Sequence, residues 1–198
     1  MVEHSRIAPV RVLIVPGLNN SGPGHWQSRW EALHAGFERV QQTRWDQPDL
    51  PVWSRKLAQA LWHKAQPTLL VTHSFGCLTS VYLAAQGAGY VVGALLVAPA
   101  DPDKFGVAEQ VNDVRLPFPS ILVGSTNDPW LSGDKAAALA KRWGSEFVNA
   151  GALGHINAES DLGYWMFGLS LLQQLVQQIG LPLAIGRARP EIHAVRAA

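Results

Sequence analysis

The chain has 198 residues, enough for one hydrophobic core, with 47% apolar and 16% charged residues, a balance typical of a folded globular protein. A formal net charge of +1, without any long run of Lys or Arg, argues against a nucleic-acid surface or an electrostatic membrane anchor. The single cysteine, Cys77, excludes an intramolecular disulfide and a cysteine-based metal site, and it favours a reducing compartment.

The N-terminal segment starts with polar and charged residues, and its apolar run at 10–15 stops at Pro16. Such a run is too short for the core of a typical signal peptide or for a membrane span. We therefore expect a cytoplasmic protein with one domain over residues 1–198. Its core is expected at about 10–180, followed by a C-terminal tail at 181–198 to which we assign no function.

Six runs bounded by turn residues predict strands, in chain order at 10–15, 37–42, 68–72, 92–98, 120–125 and 146–150. The four strongest runs are nearly continuous in Val, Leu and Ile, which is typical of strands covered on both faces.

Between these runs, apolar residues recur at helical spacing in four stretches, at 26–37, 53–65, 136–143 and 162–179. The third stretch has a candidate N-cap in Ser132 and a stop at Gly144, and the fourth is closed by Gly180 and Pro182. Strands that alternate with helices predict a doubly wound α/β domain, because parallel neighbours need long crossovers.

Ser74 lies where the third predicted strand meets a helix, in the sequence THSFG. A serine on such a sharp turn lifts its hydroxyl clear of the sheet, next to unpaired N–H groups at the helix N-terminus. Gly76 fits the crowded turn, whereas Thr72 stands where a glycine is usual. Ser74 is therefore a candidate nucleophile, and the alternative is a serine that only caps the helix.

A nucleophilic serine needs a base and a carboxylate that orients the base. His155 follows the last predicted strand, between glycines, and Asp128 follows the fifth. His73 is adjacent to Ser74 but points away from it, so we expect it to be a packed or hydrogen-bonded support. The order Ser74, Asp128, His155 after successive strands predicts a catalytic triad. Other candidates for the acid are Asp101, Asp103, Asp113 and Asp134.

A glycine-rich loop, PGLNNSGPG, follows the first strand. Its Leu18 N–H, with the N–H of Phe75, is predicted to form an oxyanion hole. The loop lacks both common nucleotide-binding patterns, so phosphate binding by residues 17–24 is a weaker alternative. We expect no cofactor and no metal site, since no two histidines have the i, i+4 spacing of a helical metal site.

The sequence resembles the small α/β-hydrolase family that includes retinoblastoma-binding protein nine and bacterial serine hydrolases. The resemblance lies in four motifs in the same order over about residues 10–180, namely VLIVPG followed by HW and W, HSFG, NDPW and GH. It implies a six-stranded, all-parallel α/β-hydrolase core and the same triad. The L-x-C-x-E motif for pocket-protein binding is absent around Cys77, so we do not expect that partner.

Residues 99–119 occupy the place where larger α/β-hydrolases insert a cap domain, and they are too few to form one. We therefore expect a minimal fold with an open site, rimmed by Trp130, with Trp26 as a second candidate. The predicted function is a serine hydrolase (esterase-like) that cleaves small carboxylic esters through an acyl-enzyme. The alternative is a non-catalytic binding or scaffold protein on a hydrolase fold. Oligomeric state is left open.

Overall fold

A computed structural model describes residues 9–87 and 89–183 of the chain. Its six strands form one sheet in the order β2-β1-β3-β4-β5-β6, and every neighbouring pair is parallel. The strands are β1 Arg11–Val15, β2 Phe37–Arg39, β3 Thr68–Ser74, β4 Val91–Pro99, β5 Ser120–Gly124 and β6 Glu146–Asn149. The predicted doubly wound parallel sheet is confirmed.

Six α-helices connect or follow the strands. They are α1 Trp26–Leu33, α2 Leu50–Lys64, α3 Phe75–Ala85, α4 Ala108–Val111, α5 Gly133–Trp143 and α6 Met166–Ile179, and a short 3₁₀ helix spans Ala158–Ser160. Helices α1 and α6 cover one face of the sheet, and α2, α3 and α5 cover the other. Consecutive residues such as Leu13 and Ile14 belong to opposite core clusters, because side chains alternate along a strand.

Local signals account for the limits of α5. Ser132 caps its N-terminus by accepting a hydrogen bond from Lys135 N, and Gly144 ends it in the left-handed conformation at φ 75°. The predicted stripe at 162–179 starts too early, since α6 begins at Met166 and Trp165 before it has φ 41°. The stripe at 26–37 ends too late, because Phe37 lies in β2.

Residues 99–119 hold only the four-residue helix α4, so no cap domain covers the carboxyl ends of the strands. In the part of the chain that the structure describes, no helix is long and apolar enough to cross a membrane. Of the predicted tail, residues 181–183 return to the sheet, where Leu183 forms a bridge with Val10. Residues 184–198 lie outside the described part.

Candidate active site

Ser74 is the last residue of β3 and immediately precedes α3. Its backbone has φ 53° and ψ −123°, a conformation that non-glycine residues seldom adopt and that often marks a functional turn. The side chain makes no capping hydrogen bond to α3, so the helix-capping alternative does not account for this serine. Its hydroxyl is left free to interact with other groups.

The turn around Ser74 is closely packed against β1. A Cβ on Gly76 would lie 2.2 Å from the carbonyl oxygen of Val15, and a Cβ on Gly17 would lie 2.6 Å from Cβ of Ser74. Both separations are shorter than any real contact, so the two positions require glycine on steric grounds. The glycine two residues after the serine is therefore necessary for this turn.

Thr72, which replaces the other usual glycine, is fully buried within β3. Its Oγ1 lies 3.0 Å from the sulfur of Cys77 and 3.3 Å from the carbonyl oxygen of Leu95. Because the side chain fills space between β4 and α3, the turn accommodates threonine. Burial raises the pKa of Cys77 to about 12, so this thiol remains protonated and unreactive at neutral pH.

The structure brings Ser74, His155 and Asp128 together. His155 Nε2 lies 3.0 Å from Ser74 Oγ, and His155 Nδ1 lies 2.8 Å from Asp128 Oδ2. The Asp128 side chain is only 2% exposed, and its Oδ1 accepts a hydrogen bond from Trp130 N at 2.9 Å. This carboxylate is therefore fixed on both oxygens and shielded from water.

The other carboxylates considered for the acid are differently placed. Asp101 Oδ2 accepts a hydrogen bond from Lys135 Nζ at 2.9 Å, and Asp103 lies 3.4 Å from the same ammonium. Neither carboxylate forms a hydrogen bond or an ion pair with His155, whose Nδ1 faces Asp128. Asp134 lies in the first turn of α5, and Asp113 follows α4.

Polar contacts that the sequence did not predict hold the His155 loop against the Asp128 loop. Asn127 Oδ1 accepts hydrogen bonds from Gly154 N at 2.7 Å and from the Ser125 hydroxyl at 2.9 Å. The Ser125 hydroxyl oxygen in turn accepts a hydrogen bond from Leu153 N at 2.9 Å. The acid and the histidine are thus positioned by one connected network, whose bonds between the two loops join residues 27 or 28 apart in sequence.

Trp26 has a different position from the one predicted. It is 1% exposed and does not line the site, so the expectation that it forms part of an aromatic rim is wrong. Its indole Nε1 donates to the carbonyl oxygen of Ile156 at 2.8 Å, and this bond holds the loop that carries His155. Trp130 does line the site, with 57% of its surface exposed and its ring 6.4 Å from that of His155.

Two neutral histidines lie behind His155. Nε2 of His73 lies 2.9 Å from the carbonyl oxygen of His155, and burial lowers the pKa of His73 well below its ordinary value, so the neutral ring donates this bond. His25 packs against His73 with ring centroids 4.7 Å apart. Burial, aided by Arg39 and His155, lowers the pKa of His25 to about 3. The predicted supporting position of His73 is what the structure has.

The loop after β1 lies against the serine turn. A Cβ on Gly17 would be 3.2 Å from Phe75 N, so the two backbone segments adjoin. Phe75 is the first residue of α3, where an N–H has no carbonyl partner within the helix. In the described part of the chain, Leu18 N makes no hydrogen bond either. The two predicted oxyanion donors are therefore on neighbouring segments.

Arg39, at the end of β2, holds this loop in place. Its guanidinium donates to Asn20 Oδ1 at 2.8 Å, to the carbonyl oxygen of Ser21 at 2.8 Å and to the Ser28 hydroxyl at 2.8 Å. Glu31 completes the set, with its carboxylate 2.7 Å from the guanidinium. The Arg39 side chain is 9% exposed, so this buried charge is fully paired.

A cavity of about 360 Å³ opens at this edge of the sheet. Ser74 and His155 line it together with apolar groups, among them Leu18, Phe105 and Trp130, and polar side chains such as Asn19 and Asn157. A cavity of this size accommodates a small molecule. Within residues 9–87 and 89–183, no group of three or more His, Cys, Asp or Glu side chains is arranged to hold a metal ion.

Comparisons with known proteins agree with this arrangement. The family model described as serine hydrolase matches residues 12–174. A YdeN-like hydrolase from Pectobacterium atrosepticum is 36% identical, with a TM-score of 0.84 over 88% of this chain and 94% of that protein. No curated protein matches the sequence.

Two more distant structures share the fold. The ydeN gene product of B. subtilis is 17% identical, with a TM-score of 0.64 over 86% of this chain and 100% of that one. Est1E from Butyrivibrio proteoclasticus, solved with ferulic acid, is 12% identical, with a TM-score of 0.64 over 87% and 90% of the two chains. The family model matches most of the chain, and strand β3 ends at a serine with a strained backbone. The chain therefore belongs to the serine hydrolase family and is an enzyme of the α/β-hydrolase fold.

Proposed function

We propose that the protein hydrolyses small carboxylic esters through an acyl-enzyme on Ser74, with His155 as the base and Asp128 as the orienting acid. The observation that carries this proposal is the continuous hydrogen-bonded line from Asp128 Oδ2 to His155 Nδ1 and from His155 Nε2 to Ser74 Oγ. A carboxylate can only accept a hydrogen bond, so Nδ1 of a neutral His155 carries the proton. Its Nε2 then has a lone pair directed at the serine hydroxyl.

Acylation follows from this tautomer. As Ser74 Oγ attacks the ester carbonyl carbon, its proton passes to His155 Nε2, and Asp128 stabilises the imidazolium that forms. The carbonyl oxygen becomes an oxyanion, for which the N–H groups of Phe75 and Leu18 are the proposed donors. When the bond to the alcohol oxygen breaks, His155 returns the proton to that oxygen and the acyl group stays on Ser74.

Deacylation repeats these steps with water. His155 Nε2 takes a proton from a water molecule, whose oxygen attacks the acyl carbon, and then returns the proton to Ser74 Oγ as the carboxylic acid leaves. The adjacent neutral histidines matter here. Because His73 and His25 have lowered pKa values, neither adds a positive charge that would oppose protonation of His155.

Residues 99–119 form no cap domain, and the cavity has a volume of about 360 Å³. Both features support a preference for substrates with short rather than long acyl chains. The expected cytoplasmic location also stays part of this proposal, and the single cysteine favours it.

The proposed function is tested by the hydrolysis of 4-nitrophenyl butyrate by the native protein and by Ser74→Ala. We expect kcat/KM to fall at least about 10³-fold, since the nucleophile is lost while the binding site remains. The matched control is Ser170→Ala, which removes an exposed hydroxyl on α6 and should leave the rate unchanged. Turnover by Ser74→Ala within about tenfold of the native rate would exclude the serine mechanism.

A further inference from the structure

The cavity beside Ser74 contains one lysine and no arginine among its described lining residues, and that lysine is Lys104. Two carboxylates, Asp101 and Glu159, also line the cavity. The charge of Asp101 is already paired, because its Oδ2 accepts a hydrogen bond from Lys135 Nζ at 2.9 Å. Its Oδ1 accepts a second hydrogen bond from Asp103 N at 3.1 Å. The ionic balance of the cavity therefore depends on Lys104 and Glu159.

Lys104 is held in place without being neutralised. Its Nζ donates to the carbonyl oxygen of Trp130 at 2.6 Å and lies 5.7 Å from the centre of the Trp130 ring. Within the described residues no carboxylate lies within 4.0 Å of this ammonium, although Lys135 nearby pairs with two. One N–H of Lys104 is occupied, so two remain available to a ligand.

The turn that carries Lys104 is fixed relative to the reacting serine. The next residue, Phe105, packs against Phe75 with ring centroids 5.0 Å apart, and Phe75 immediately follows Ser74. The Trp130 ring contacts both residues, with its centre 5.7 Å from Lys104 Nζ and 6.4 Å from the centre of the His155 ring. The ammonium thus has a defined place in the same cavity as the nucleophile and its base.

Glu159 is not held in this way. Its side chain is exposed, and in the described part of the chain it makes no hydrogen bond or ion pair, although its backbone N–H donates to Asn157 Oδ1. A long side chain that must be ordered on binding loses more conformational entropy than one already fixed. We therefore expect Lys104, whose ammonium is held by Trp130, to select ligand charge more effectively than Glu159.

We infer that Lys104, supported by Trp130, binds a carboxylate carried by the ester substrate. The preferred substrates are then esters with a negative charge, such as monoesters of dicarboxylic acids, rather than fully neutral esters. This inference rests on the proposed function, and it adds a residue that selects the substrate without taking part in proton transfer. Because Lys104 is exposed, its effect is limited to that of a surface ion pair.

The test uses pairs of esters that differ in charge. The 4-nitrophenyl monoester of adipic acid and 4-nitrophenyl hexanoate place the charge on the acyl side. The pair 4-acetoxybenzoate and 4-acetoxybenzamide places it on the alcohol side. For each pair, the ratio of kcat/KM for the charged ester to that for the neutral ester is measured with the native protein, Lys104→Met and Lys104→Arg. Lys141→Met, which removes an exposed lysine on α5, is the matched control.

For at least one pair, Lys104→Met should lower the ratio about threefold to fivefold, while Lys104→Arg and Lys141→Met keep it near the native value. The loss should shrink in 0.5 M NaCl, because salt screens exposed charges. Glu159→Gln should shift the ratio the opposite way, and by less. An unchanged ratio in Lys104→Met for both pairs would overturn the inference while leaving the proposed function intact. If the native protein cleaves none of the four esters, the proposed function itself fails.

Discussion

Replacing Asp128 by asparagine removes the charge that faces His155 while keeping nearly the same volume. In the native protein Asp128 Oδ2 lies 2.8 Å from His155 Nδ1, and Oδ1 accepts a hydrogen bond from Trp130 N at 2.9 Å. The amide oxygen of asparagine can keep the bond to Trp130 N, so its NH₂ group then faces Nδ1. An NH₂ group donates, which favours the tautomer with the proton on Nε2.

That tautomer places an N–H, instead of a lone pair, 3.0 Å from Ser74 Oγ, so His155 can no longer take the serine proton. By analogy with the serine-protease triad, we expect kcat to fall on the order of 10⁴-fold, which corresponds to about 5 kcal/mol of activation free energy. The thermal unfolding curve should stay cooperative, since the side chain keeps its shape and its bond to Trp130.

The assay is hydrolysis of one chromogenic ester at a pH above about 6.5, the ordinary histidine pKa. Asp101→Asn and Asp103→Asn are the matched controls, since both side chains contact Lys135 rather than His155, and we expect them to cost little. Near-normal activity in Asp128→Asn, together with a collapse in either control variant, would refute the assignment and move the acid to the end of β4.

Four further predictions concern the turn, the cavity and the buried histidines. Gly76→Ala should abolish activity or folding because its Cβ would lie 2.2 Å from Val15 O, whereas Gly133→Ala, whose Cβ would lie 3.6 Å from Ser125 O, should behave as the native protein in both assays. Thr72→Gly should keep fluorophosphonate labelling but unfold at a lower temperature, since a buried side chain is lost. In a series of 4-nitrophenyl esters, kcat/KM should decline beyond short acyl chains, and efficient cleavage of long-chain triglycerides would contradict this. Folded His25 has a pKa of about 3, whereas an unfolded histidine takes up a proton near pH 6.5. The free energy of unfolding should therefore fall as the pH is lowered from about 6.5 to 3. Urea unfolding at several pH values gives this free energy as a function of pH. Its slope against pH should be shallower in His25→Asn, by up to about 1.4 kcal/mol per pH unit.

The elements with local signals could be predicted from the sequence. Helix α5 lies between its capping serine, Ser132, and its terminal glycine, Gly144, as expected. The long apolar runs became strands of one parallel sheet. The last residue of β3 and the loops after β5 and β6 meet at one edge, because parallel strands end on the same side. The positions of Ser74, Asp128 and His155 followed from that rule.

What the sequence did not predict depends on partners far away along the chain. The position of Trp26 beside a glycine-rich loop favours a place on the rim of the site. Its indole N–H instead donates to the carbonyl oxygen of Ile156, 130 residues later. Arg39 has no local signal for its contacts with Asn20 and Ser28. The start of α6 was misplaced because Trp165 adopts a left-handed conformation, which nothing in the apolar spacing indicates. Tertiary contacts decide such positions.

Reaction with a fluorophosphonate, followed by mass spectrometry of the digested protein, tests the central claim most directly. The reagent phosphonylates a serine only where a base activates the hydroxyl and donors stabilise the developing oxyanion. We predict one adduct per chain, on the peptide that contains Ser74, and at least a hundredfold slower labelling in His155→Ala. An unlabelled native protein, or an adduct on another residue, would contradict Ser74 as the nucleophile.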